Sequence, residues 1–158
     1  MSNLLVIGYG NPLCGDDGVA WHVVNAIAPA LPPGSVYAIH QLTPEWAELI
    51  SRTDLVIFVD AAIGDTPGEV NSFPLLPQSG RPGSHEMTPM GVLAMAVDLF
   101  GRCPPAHMVT ITGDSFDLSE TLSTKVAAAV PEAARLILNL RENTNAGVLA
   151  APPAFDIA

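Results

Sequence analysis

Hydrophobic positions along this chain follow two rhythms that alternate. Leu4 to Ile7 is an unbroken apolar run, the pattern of a strand buried on both faces. Asp54-Leu55-Val56-Ile57-Phe58-Val59 is the clearest such run and ends on Asp60. Val36 to Ile39 and His107 to Thr112 predict two more strands. Between them the apolar spacing becomes helical. Ala20, Val23, Val24 and Ile27 recur along a predicted helix over Asp17 to Ala30, which Pro29 and Pro32 close. Thr43-Pro44-Glu45 and Thr88-Pro89 each pair a cap residue with a proline in the first turn. The second of these helices runs to Phe100, and an alanine-rich helix spans roughly Ser123 to Leu140. Gly64 and Pro67-Gly68 make a turn, from which Glu69 to Phe73 returns as an antiparallel edge strand.

Strands alternating with helices predict an α/β fold: a single three-layer sandwich domain with a mostly parallel sheet and one antiparallel edge strand. Residues 74 to 86, rich in Pro, Gly and Ser, are expected to form a long loop. The domain is expected to cover residues 1–142, with 143–158 a flexible tail.

Composition narrows the class. The chain has 158 residues, 49% hydrophobic and 14% charged, which suits one well-buried domain and excludes disorder. Six basic residues against sixteen acidic ones give a net charge of −10. Such a surface repels a phosphate backbone, so no nucleic-acid partner is expected. No apolar run reaches the ~18 residues of a membrane span, so no membrane partner is expected either. The start, Met1-Ser2-Asn3, has no basic region ahead of its apolar run, and a cytoplasmic location is expected. Cys14 and Cys103 make neither a zinc spacing nor a disulfide framework.

Candidate chemistry gathers where the first strand breaks into Gly8-Tyr9-Gly10-Asn11-Pro12-Leu13-Cys14-Gly15-Asp16-Asp17-Gly18. A glycine loop after a first strand ordinarily cradles phosphate, but the dinucleotide fingerprint fails at Leu13. Asp16 and Asp17 would also set negative charge against a pyrophosphate. The acids point instead to a cation or to acid/base work. In open α/β sheets, sites form outside the carboxyl ends of strands. Asp16 and Asp17 follow the first strand there, and Asp60 ends the central one. His85 lies in the long loop before a helix. Two carboxylates and an imidazole suit a divalent first-row metal such as Zn, Ni or Mn. Asp16 reads equally well as a cap on the first helix. A charge ending a buried strand needs a partner, which favours a functional Asp60. His22, His40 and His107 fall on helix or strand positions and read as structural. Cys14 reads as packing, with no histidine near it in sequence to activate it.

Taken together, Gly8-x-Gly10-Asn11-x-Leu13-x-x-Asp16-Asp17-Gly18, Val59-Asp60-Ala61, Ser84-His85 and Leu122-Ser123 resemble, in order, the pattern of the hydrogenase maturation proteases. The resemblance spans residues 4 to 140. It implies an endopeptidase that removes a C-terminal extension from the nickel-loaded precursor of a nickel–iron hydrogenase large subunit. It implies that Asp17, Asp60 and His85 bind metal. That metal would be nickel carried by the substrate and used for recognition, with another divalent ion able to occupy the site in vitro. Asp17 and Asp60 would carry catalysis, aspartyl-type or metal-assisted, with Asp16 a possible helper. The expected partner is the large-subunit precursor. The alternative is a non-catalytic metal-binding or chaperone module in hydrogenase assembly. Two departures stand out. Ala20 replaces a common second glycine, and Thr112-Gly113-Asp114-Ser115 replaces a Gly-Ile-Gln-Pro run. The latter bears on which hydrogenase is the substrate.

Overall fold

The computed structural model describes residues 3–79 and 87–145. Five strands form one sheet: β1 (Leu4–Tyr9), β2 (Val36–Ile39), β3 (Leu55–Ala62), β4 (Val70–Leu75) and β5 (Ala106–Thr112), in the order β2-β1-β3-β5-β4. All neighbours are parallel except β4, which runs antiparallel along β5 at the edge. Four α-helices accompany them: α1 (Val19–Ile27), α2 (Trp46–Ser51), α3 (Pro89–Phe100) and α4 (Thr124–Asn145). The expected α/β sandwich, with its antiparallel edge strand, is the observed architecture.

Strand alternation assigns the two faces. Leu4, Val6, Leu55, Ile57, Val59, Val109 and Ile111 point toward α1 and α4, where Val23, Ile27, Ala133 and Ile137 complete one core. Leu5, Ile7, Val56, Phe58 and Met108 point the other way, against Ile50, Val92 and Leu93 of α2 and α3. Ile57 and Phe58 are adjacent and both fully buried, which only a strand covered on both faces allows. Each such side chain contributes roughly 1.5–3 kcal/mol of burial.

Several boundaries differ from the sequence reading. The predicted first helix breaks into a 3-10 turn at Gly15–Gly18, α1, and a second 3-10 turn at Ala28–Ala30. The second helix starts only at Trp46, because the Trp46 and Ala47 amides close turns onto the Thr43 and Pro44 carbonyls. β3 runs two residues past Asp60 to Ala62, since β5 continues to pair with it through Ala62↔Thr112. The third helix begins as predicted: Thr88 Oγ1 accepts the Gly91 amide at 3.0 Å, and Gly101, at φ +80°, ends it. α4 extends to Asn145, past the expected start of the tail at 143. The rest of that segment and the core of the predicted 74–86 loop lie outside the described residues.

Candidate active site

The strand order reverses between β1 and β3, so the crevice above their carboxyl ends is the topological switch point. The register Gly8↔Val59 makes Tyr9 and Asp60 the next neighbours along that pair. Both continue the alternation that sends Ile7 and Phe58 toward α2 and α3.

The loop after β1 turns sharply because Gly10 adopts φ +147°. A Cβ there would sit 2.1 Å from the Asp17 carbonyl oxygen, so no other residue fits. The turn brings Asp17 back over the strand end, where its Oδ2 accepts the Asn11 amide at 2.7 Å. The Trp21 indole donates to the Gly10 carbonyl at 2.9 Å and ties α1 to the same turn.

Asp17 and Asp60 are brought together electrostatically. Burial raises the Asp60 carboxyl most; the Ala61 amide lowers it, the Asp17 charge raises it again, and the Tyr9 hydroxyl lowers it. The result is a pKa pushed up to about 7. Burial, the Asp60 charge and the hydrogen bond to Asp60 together hold the Tyr9 phenol far above its ordinary range. Tyr9 therefore stays protonated beside Asp60. Sequence reasoning missed Tyr9, although pairing two strands that both end at the crevice places it beside Asp60.

Asp16 has a different setting from its neighbour. It is fully buried. Its Oδ2 accepts the Asp114 amide at 2.7 Å, the Ser115 amide at 2.9 Å and the Ser123 hydroxyl at 2.7 Å, while Oδ1 accepts the Ser123 amide at 2.8 Å. Burial pushes this carboxyl up, but the Ser115, Ser123 and Asp114 amides and the Ser123 hydroxyl outweigh it, and its pKa lies below the ordinary value. Three donors converge on Oδ2 and one on Oδ1. No side chain caps the 3-10 turn at Gly15–Gly18 or α1. Asp16 instead satisfies the amide of Ser123, the residue just ahead of α4, where the helix dipole favours its charge. The helix it serves is the last one, 107 residues away. In this setting it positions the loop, buried and held by four hydrogen bonds.

This knot joins two loops. The Asp16 amide donates to the Ser115 carbonyl, the Gly15 amide to the Ser119 carbonyl, and the Ser119 amide to the Leu13 carbonyl. The Ser115–Ser119 stretch is thus laced onto the loop that carries Asp17. Around the same end of the sheet stand exposed apolar side chains: Leu13, Ile63, Phe116 and Leu118, the second 94% and the last 87% exposed.

Among the described residues, no group of three His, Cys, Asp or Glu side chains forms a metal centre. Asp17 and Asp60 supply two carboxylates, and the third predicted ligand, His85, lies outside the described residues. His40 packs on Trp21 with ring centroids 5.4 Å apart and planes tilted by 60°, His107 is half-buried on β5, and His22 is exposed. Cys14 is a free, half-buried thiol bridging to Ser119 through its backbone.

No protein-family model matches the chain, and no curated protein matches it in sequence. Solved structures do match. The hydrogenase maturating endopeptidase HybD from E. coli superposes with a TM-score of 0.68 at 21% identity, over 89% of this chain and 93% of that one. HycI, a [NiFe] hydrogenase maturation protease from Thermococcus kodakarensis KOD1, gives 0.67 at 23% identity over 90% and 94%. The hydrogenase 2 maturation peptidase from Thaumarchaeota archaeon SCGC_AB-539-E09 gives 0.65 at 26% identity over 88% and 97%. The chain has the fold of the hydrogenase maturation proteases. In this hydrogenase maturation protease fold, the Asp17 loop and the end of β3 flank the switch-point crevice. Among the described residues no helix is long and apolar enough to cross a membrane.

Proposed function

We propose that this protein is a processing endopeptidase that removes a C-terminal extension from the precursor of a nickel–iron hydrogenase large subunit, and that nickel held by the precursor is the feature it recognises. The observation that carries the reading is the Asp17–Asp60 pair at the switch point, two carboxylates close enough for one to raise the other. Like charges so placed call for a cation or a shared proton. Asp17, Asp60 and His85 would offer two carboxylate oxygens and an imidazole nitrogen to the precursor's nickel, a donor set suited to a first-row ion. The His85 assignment rests on its place in the sequence motif.

The chemistry is hydrolysis of one peptide bond. Water adds to the scissile carbonyl, a base takes its proton, and the proton passes to the leaving amine. A carboxyl with a pKa near 7 is well matched to that exchange at neutral pH, which favours Asp60 as the base. A cation beside it would polarise the carbonyl. Tyr9, held protonated, is the neutral neighbour of the Asp60 carboxyl. The exposed Leu13, Ile63, Phe116 and Leu118 offer apolar purchase on a polypeptide, as expected for a macromolecular substrate.

A binding module in hydrogenase assembly would use the same residues and leave the precursor intact. Incubating nickel-loaded and nickel-free precursor with the protein, and weighing the products by mass spectrometry, separates the two. A nickel-dependent loss of the extension is expected. Stable binding with unchanged mass would make the protein a chaperone.

A further inference from the structure

Peptide hydrolysis loads negative charge onto the oxygen of the scissile carbonyl, and the two carboxylates at the switch point cannot donate to it. We propose, on the peptidase reading, that the phenol of Tyr9 is a further catalytic residue: its O–H hydrogen-bonds the scissile carbonyl oxygen as the tetrahedral intermediate forms.

Placement carries the assignment. Tyr9 is the last residue of β1, at the carboxyl end of the sheet. Its partner on β2 is Ile39, and the β1–β3 register makes Asp60 its neighbour on β3. Neighbours on adjacent strands stand about 4.8 Å apart. Tyr9 and Ile39 both pack on the core beneath α2 and α3. The ring therefore has an aliphatic side chain on one flank and a carboxyl on the other. A half-buried phenol turns its polar tip to a polar partner, and Asp60 offers one. The influence of each group on the ionisation of the other agrees with this contact. The mount is rigid on both sides of Tyr9. A Cβ on Gly8 would lie 2.9 Å from Val24 Cγ2 and 3.0 Å from the Ala20 carbonyl oxygen, so the backbone before Tyr9 is pressed onto α1. After it, the Gly10 amide donates to the Ile39 carbonyl at 3.1 Å, and the Gly10 carbonyl accepts the Trp21 indole at 2.9 Å. A donor fixed in this way needs no reorganisation when charge develops.

The charge moves during the reaction, and Tyr9 is placed to follow it. Before attack, the Asp60 carboxylate is the negative neighbour of the phenol. As the water oxygen bonds to the carbonyl carbon, Asp60 takes the water proton and the carbonyl π pair moves onto oxygen. Negative charge thus leaves Asp60 and appears on the substrate. The O–H beside Asp60 then serves the new oxyanion, and an interaction strengthened in the transition state raises kcat. When the C–N bond breaks, the pair returns to the carbonyl and the proton passes from Asp60 to the leaving amine. Tyr9 keeps its own proton throughout, as even an ordinary phenol, with a pKa of about 10, does at neutral pH.

The test is processing of nickel-loaded precursor, with kcat and KM measured for wild type and Tyr9→Phe, both checked by circular dichroism. The substitution keeps the ring and removes only the donor. kcat should fall at least about tenfold, with KM within about twofold of wild type. The loss should persist at about pH 9, where Asp60 is ionised in both proteins. Were Tyr9 only to tune Asp60, its removal would shift the pH profile and the rate would return on the alkaline plateau. An unchanged kcat, a loss confined to KM, or full recovery at about pH 9 would overturn the proposal. Should Tyr9→Phe fail to fold, Tyr9→Val, a strand-favouring residue without a donor, is measured by the same criteria. Cleavage by wild type and variant at one rate would overturn this role alone. A wild-type protein that leaves the precursor intact would overturn the peptidase reading, and this role with it.

Discussion

Asp16 and Asp60 do opposite things here, and the difference is local solvation. Asp16 sits among four donors and ionises easily; Asp60 sits in a half-buried crevice with another carboxylate nearby and ionises reluctantly. Asp16→Asn removes the charge and turns one acceptor oxygen into a donor facing N–H groups, so at least the Ser123 amide loses its partner inside a buried site. A loss of about 2–4 kcal/mol of stability is expected, measurable as a lower urea midpoint. Unchanged stability would remove Asp16 from its positioning role. The sign of the pH dependence also separates the two acids. Asp16, with a lowered pKa, stabilises the fold above its unfolded pKa, and this is lost as pH falls through the lower folded value. Asp60, raised from 3.8 to about 7, binds its proton more tightly when folded, so its ionisation destabilises the fold progressively between those values. In chelator, melts of the wild type should drop between about pH 4 and pH 7 relative to Asp60→Asn, which lacks this titration. Parallel pH profiles would show that Asp60 is not perturbed.

At the scale of elements, the strands and their faces were legible in the sequence because doubly buried strands leave continuous apolar runs. Asp17 and Asp60 were legible as candidates because α/β sheets place sites at strand ends. The role of Asp16 was not, because its partners lie about a hundred residues away and are mostly backbone amides. Tyr9 required the β1–β3 register, which no local pattern contains. The 3-10 turn ahead of α1 likewise depends on tertiary bonds at Gly15 and Asp16. Three connecting segments meet at the carboxyl end: the β1–α1 loop with Leu13, the turn after β3 with Ile63, and the β5–α4 loop with Leu118. Isolated exposed apolar residues need no explanation, but several around one crevice do. Ile63→Asp and Leu118→Asp should leave the melting temperature within error, since both side chains are almost wholly in solvent. Each should weaken precursor processing, roughly tenfold in kcat/KM, through KM more than kcat. Processing at wild-type rates in both variants would rule the crown out as a docking surface.

The whole molecule is polarised by its topology. A parallel sheet gathers its carboxyl strand ends on one side, and there the chain places Asp17, Asp60 and an apolar rim. The other side collects Arg52, Arg102 and Arg141. The central claim is that the Asp17–Asp60 pair, with His85, performs the cleavage. The most direct measurement is the mass of nickel-loaded precursor after incubation with wild-type protein, Asp17→Asn, Asp60→Asn and His85→Ala, each first verified as folded by circular dichroism. The account predicts loss of the C-terminal extension with wild type and an unchanged precursor mass with all three variants. Complete cleavage by any folded variant would contradict it.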